Sequence, residues 1–210
     1  MRHAELAIDE LRSAMRSLPD NGLAGAREEA LAHLAEHGLP TKRNEDWKYT
    51  DLSAAVDISN RWLRRPDVAP SSSLLDERTA ALIKNIDANW LVIADGVVAD
   101  QFVQQPDGNG IAVSRLSAGT GSPAFERPLA DLNVALLHDG LRVHISGDSD
   151  KPLGILFLDQ ADQDAGVAQS YVELEFASDS TAEVIEYHVS AGDADHYANS
   201  VLTMNTGANC

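Results

Sequence analysis

Apolar residues recur at steps of three and four between Ala4 and Leu18, at Ala4, Ile8, Leu11, Met15 and Leu18, with Glu5, Asp9, Glu10, Arg12 and Arg16 between them. That period predicts an amphipathic helix. Pro19-Asp20-Asn21-Gly22 ends it, and a second helical pattern runs from about Ala26 to His37 through Ala30, Leu31 and Leu34. Gly38 is placed to supply a left-handed cap, and Pro40 bars continuation. Both apolar faces are rich in alanine and neither polar face is basic, so the stripes read as helix-packing surfaces, not as membrane or calmodulin-type ligands. A third helix is expected from Leu74 to about Asn85.

The period then changes. Trp90 to Ala94, Asp95-Gly96 and Val97 to Val103 read as a hairpin, because Asp-Gly suits a tight turn that needs positive φ. Pro106 to Gly110 is a further turn, Ile111 to Val113 a short strand, and Leu129 to Leu137 a short helix. Strands are expected near Leu141–Ile145, Leu153–Leu158, Ala168–Phe176, Ala182–Val189 and Ser200–Asn205. Within the third of these, Val172, Leu174 and Phe176 alternate with Glu173 and Glu175, one dry face and one wet one. The chain thus divides into a mainly helical region, 1–89, and a strand-rich region, 90–210. Regular strand spacing fits a sandwich, a barrel or a β-solenoid, and periodicity does not choose among them.

Charge and composition narrow the function classes. Thirty-three acidic against 16 basic residues give a net charge of −17, which repels a nucleic-acid backbone and an anionic membrane surface. No apolar run has membrane-spanning length. One cysteine, Cys210, makes no internal disulfide, and with no leader at the start the cytoplasm is the expected compartment. Ser71-Ser72-Ser73 beside Pro66 and Pro70 reads as a local linker.

Catalytic fingerprints are missing: no phosphate loop, no G-x-S-x-G, no paired cysteine ligands, no H-E-x-x-H. Asp193-Ala194-Asp195-His196, with His188 before it, is the densest group of metal-capable side chains, but it fits neither calcium-loop nor zinc spacing and reads as an acidic loop. His3, His33 and His37 lie on or beside helices and His138 and His144 flank a turn, none beside a nucleophile or ligand set in sequence. No catalytic, cofactor-binding or metal residue is therefore assigned.

The most distinctive stretch is Leu39-Pro40-Thr41-Lys42-Arg43-Asn44-Glu45-Asp46-Trp47-Lys48-Tyr49-Thr50-Asp51-Leu52. Asn44 is placed to cap a short helical turn, Glu45 and Asp46 suit its positive end, and Trp47 and Tyr49 are large amphipathic anchors, the makings of a docking segment. From Pro40 to Leu52 this stretch resembles the N-terminal signature of the SufB/SufD family, in the form its SufD members carry. Asp131-Leu132-Asn133-Val134-Ala135 with Asp139-Gly140, Lys151-Pro152-Leu153, and Ala182-Glu183-Val184-Ile185-Glu186 followed by Asn199 fall in the family's order.

The resemblance implies an α+β fold: an N-terminal helical region followed by a right-handed β-helix (β-solenoid), truncated here because family members run to about twice this length. It further implies a non-catalytic scaffold subunit of a SufBCD complex for iron–sulfur cluster assembly, paired with a SufB-like subunit and a SufC-like ATPase. The SufC-binding region falls in the family's remaining length. Any iron–sulfur cluster belongs to the complex, with no cofactor in this chain alone, and a homodimer through the last strand is a further expectation. The alternatives from other classes are a carbohydrate-active or adhesive β-helix protein and a small metal-binding module at Asp193, Asp195 and His196.

Overall fold

The computed structural model describes residues 5–64, 77–99, 110–117, 128–160 and 165–210. The Ser71–Ser73 linker, the Phe102-Val103 end of the expected hairpin, most of the Pro106–Gly110 turn, and His3 lie outside them. The helices are α1 (Ile8–Arg16), α2 (Ala24–His37), α3 (Ser53–Leu63), α4 (Glu77–Asn85) and α5 (Pro128–Leu136), with a 3₁₀ turn at Glu45–Trp47. The strands are β1 (Asn89–Ala94), β2 (Val97–Val98), β3 (Ile111–Arg115), β4 (Gly140–Ile145), β5 (Leu153–Gln160), β6 (Ala165–Phe176), β7 (Val184–Ala191) and β8 (Asp195–Thr206).

Helices α1 and α2 form where the apolar period placed them, and Gly38 closes α2 at φ 66°, its N–H donating to the Leu34 carbonyl. The sequence pattern misses α3. Its buried face carries Val56 and Leu63 but also Ser59 and Asn60, so the apolar period is broken. Asn60 is buried because it does the work of a backbone: its amide donates to the Glu5 carbonyl and accepts from the Ala7 N–H, both at 2.8 Å, pinning the chain ahead of α1 to α3.

Two four-stranded sheets follow, in the orders β2-β1-β5-β7 and β3-β4-β6-β8. Asp95 and Gly96 have φ of 48° and 78°, the tight turn expected, and β1 and β2 pair antiparallel across it. β3 and β4 are also antiparallel, whereas β1·β5, β5·β7, β4·β6 and β6·β8 are parallel. From β4 onward consecutive strands alternate between the sheets. This overturns the expected right-handed β-helix. Among the described residues the strands form two separate mixed sheets, not closed on one another, ending at β2 and β7 in one and at β3 and β8 in the other. Strand spacing sets the length of a connection, but partner and direction are decided by turn geometry and by which faces must be buried.

Those faces define the layers. Leu91, Ile93, Ile155 and Phe157 from one sheet meet Leu141, Val143, Val172 and Leu174 from the other in the central core. The outer face of the first sheet, Trp90, Val92, Leu156 and Leu158, is covered by Ile83 and by Ile86 just beyond α4. On the far side, Leu11, Met15, Leu31, Leu34 and Leu63 form a helical core with Leu132, Val134, Ala135 and Leu136 of α5, and Tyr197 of β8 packs against it. Helix α5, encoded between strands, therefore sits among the N-terminal helices and joins them to β6 and β8.

Candidate functional site

The segment between α2 and α3 is built on its own hydrogen bonds. Asn44 holds the extended backbone of an N-cap but its side chain does not cap the 3₁₀ turn, as the sequence suggested. It turns back, and its Oδ1 accepts from the Thr41 N–H at 2.9 Å and the Thr41 hydroxyl at 3.3 Å. The Thr41 hydroxyl oxygen in turn accepts from the Arg43 N–H. Lys42 pairs with Asp51 at 2.8 Å and Lys48 with Glu45. Hydrogen bonds from Lys42 and then from Ser53 hold the Asp51 carboxyl well below the usual carboxylate range.

These side-chain bonds all close within residues 41–53, so the loop is preorganised by itself and not by the body of the protein. Tyr49 stands 91% exposed at its tip with Lys48 Nζ 5.3 Å over its ring, and Trp47 is half-buried outside every hydrophobic cluster. A rigid loop presenting an aromatic side chain to solvent has the composition of a recognition surface, because little entropy is lost when it docks.

Four of the other family-like residues, Asp131, Asn133, Asp139 and Asn199, lie at the joint between helices and sheet, whereas Leu153 belongs to the central core and Ala182 packs against it. Asn133, buried on α5, donates to the carbonyls of Ser170 on β6 and Asn199 on β8, at 3.0 and 2.6 Å. Asn199 answers with an amide bond to the Leu129 carbonyl at 2.8 Å. Asp139, also buried, accepts from the Gly140 N–H at 2.9 Å and pairs with Arg115. Asp131 accepts from His33 of α2 at 2.6 Å. These bonds tie α5 to α2, β6 and β8, and the turn after it to β3.

The Asp193–His196 group is dispersed. Asp195 pairs with Arg61 at 2.7 Å, His196 Nε2 faces the Ser190 hydroxyl at 2.9 Å, and His188 pairs with Glu186 at 3.3 Å while stacking on Phe157 at 4.6 Å. Asp195 and His196 belong to β8 and not to a loop. Ser190 and His196 have the spacing of a nucleophile and its base, but no carboxylate bonds the other ring nitrogen among the described residues. No group of three metal-capable side chains occurs among them either.

Asp159 carries no signal in the residue pattern. It is buried on β5 opposite Ser190, and its carboxyl is pushed up to about 6 by burial first and by Asp95 second, against the pull of His196 and His188. His138 is driven down, chiefly by burial and then by Arg27 and Arg115. His144 lies 3.7 Å from Glu175, and the Cys210 thiol is exposed beside the Ala177 carbonyl at 3.1 Å. No described helix is long and apolar enough to cross a membrane.

Residues 8–63, which contain α1 to α3 and the Tyr49 loop, match the family described as SufBD protein N-terminal region. Over 187 residues the chain is 27% identical to the iron-sulfur cluster assembly protein SufD of Escherichia coli (strain K12), an alignment covering 85% of this chain and 42% of that protein. The chain thus spans less than half the length of that relative. The signature loop lies inside the region matched by the family model, and the chain is similar to the SufB/SufD family there and, more distantly, to a SufD protein along most of its length.

Proposed function

We propose that the chain acts as a scaffold in iron–sulfur cluster assembly, pairing with a SufB-like subunit in a complex that also holds a SufC-like ATPase. The observation that carries this reading is the similarity to a SufD protein along 85% of the chain, coupled with where its family-like residues lie. Asp131, Asn133, Asp139 and Asn199 hold elements together, and the signature loop presents Tyr49 outward. In this reading the chain supplies surface and geometry, and nucleotide chemistry belongs to the ATPase. It turns over no substrate, and any cluster forms with partner ligands, because one exposed thiol is far short of the four ligands a cluster ordinarily takes. The cytoplasm is the proposed compartment.

Co-expression with a SufB-like and a SufC-like protein, followed by light scattering of the purified material, tests the proposal. A complex of defined mass containing this chain is expected. Recovery of the chain apart from both partners under conditions where the partners bind one another would overturn the scaffold reading. Anaerobic reconstitution of the chain alone should give no stoichiometric iron–sulfur chromophore, and a stable one would replace the non-catalytic scaffold with a cluster carrier.

A further inference from the structure

We infer that His33 and His37 form a two-imidazole site for a borderline divalent transition cation, seated on the last turns of α2 and braced by the buried carboxylate of Asp131. The two residues are four apart on one helix, which stacks their side chains on one face. Their rings lie 4.2 Å apart between centroids and 34° from parallel.

Hydrogen bonding decides which nitrogen of each ring is free. His33 Nδ1 lies 2.6 Å from Asp131 Oδ2, and a carboxylate only accepts, so this nitrogen carries the proton. His37 Nδ1 lies 3.1 Å from the His33 backbone carbonyl, again an acceptor, so it too is the protonated one. In the neutral rings both lone pairs are therefore on Nε2. A metal-binding histidine ordinarily donates its second ring N–H to a carboxylate or a backbone carbonyl, which fixes tautomer and orientation and raises ligand basicity. Here one ring has each kind of partner. Asp131 is 5% exposed and comes from α5, 98 residues away in sequence, so its orientation is set by the helical core and not by the histidine it meets.

Electrostatics favour the same occupant. The C-terminal end of a helix carries the negative end of its dipole, and the chain as a whole has a net charge of −17. Two neutral imidazoles suit copper, nickel, zinc or cobalt, with affinity rising toward copper, better than they suit magnesium or calcium, which prefer oxygen. Two protein ligands leave the remaining positions to water, so the ion is exchangeable and open to a further ligand, unlike a closed structural zinc. His33 is partly exposed and His37 exposed, which gives the ion a path in.

The test is a titration of the whole 210-residue chain, without a histidine tag and with Cys210→Ser to remove the thiol, using Zn²⁺ against a chromophoric chelator. Cu²⁺ electron paramagnetic resonance is recorded in parallel. One stoichiometric equivalent is expected, with nitrogen hyperfine structure from two imidazoles in the copper spectrum. His37→Gln alters a surface side chain and should abolish that equivalent while circular dichroism and melting stay unchanged. Asp131→Asn should weaken binding by about 10- to 100-fold if the carboxylate braces the ligand. His188→Gln, in the other histidine group, should leave it intact. Absence of the equivalent in the parent chain, or its survival in His37→Gln, overturns the site. Unchanged affinity in a folded Asp131→Asn overturns the bracing role.

Discussion

Arg27 Nε and Nη2 both donate to the carbonyl of Leu137, at 3.1 and 2.9 Å, so that a guanidinium on α2 caps the chain where α5 ends. The same group reaches the Pro19 carbonyl and the Asn21 side chain. It is buried, and burial is the main cause that lowers its pKa. A planar fork of five donors satisfies several carbonyls that would otherwise be desolvated without a partner.

Replacing Arg27 with methionine keeps the apolar stem and removes every donor. The expected loss of stability is about 2–4 kcal/mol, since hydrogen bonds to a charged group contribute more than neutral ones and buried carbonyls are left unpaired. Urea unfolding measures it. A loss under about 1 kcal/mol would mean that water reaches those carbonyls.

Gly154 lies opposite Trp90 in the β1·β5 register, and a methyl group there would stand 2.5–2.8 Å from three atoms of the indole ring. The ring has little room to yield, because its N–H donates to the Ile86 carbonyl at 3.3 Å and its faces pack under α4. Gly154→Ala should therefore destabilise by about 1–3 kcal/mol through overpacking. A shift in tryptophan emission should accompany the loss. Unchanged stability and emission would show that Trp90 swings aside freely.

Asp159 sets a pH dependence with a definite sign. Its folded pKa, about 6, is raised above the ordinary value of 3.8, so the folded state holds the proton more tightly than the unfolded one. The stability it contributes is present below the unfolded value and is lost as pH rises between about 4 and 6. Asp159→Asn removes that loss. At pH 7.5 the variant should be more stable than the parent, by up to about 3 kcal/mol, with the difference shrinking toward pH 4. Thermal melts across pH 4–8 compare the two, and a variant less stable at pH 7.5 would show that the ionised carboxylate has a stabilising partner.

Tyr49 separates surface from scaffold. Because it is exposed and its loop is held by other residues, Tyr49→Ala should change stability by no more than about 0.5 kcal/mol. If the loop docks on the SufB-like partner, the same variant should weaken the complex at least about tenfold, which is about 1.4 kcal/mol. Calorimetry of the purified pair measures this. Equal affinity would move the interface elsewhere on the molecule.

The helices α1 and α2, the Gly38 cap, the Asp95-Gly96 turn and the alternation along β6 were all legible from residue order. Each depends on contacts or dihedral angles between near neighbours, which the local text specifies. Helix α3 was not legible, because Ser59 and Asn60 occupy its buried face and Asn60 is satisfied only by backbone more than fifty residues away.

Among functional residues the same division holds. The sequence by itself determined the Tyr49 loop and the four-residue spacing of His33 and His37, as well as the family resemblance that Pro40–Leu52 carries. Only the tertiary structure decided that α5 returns to the N-terminal helices, that Asp131 meets His33, that Asp159 is buried within reach of the Asp95 charge, and that the strands divide into two mixed sheets. The physical reason is range. Periodicity and turn chemistry act over a few residues, whereas partner choice, burial and the direction of a hydrogen bond are settled when distant apolar faces must be covered together.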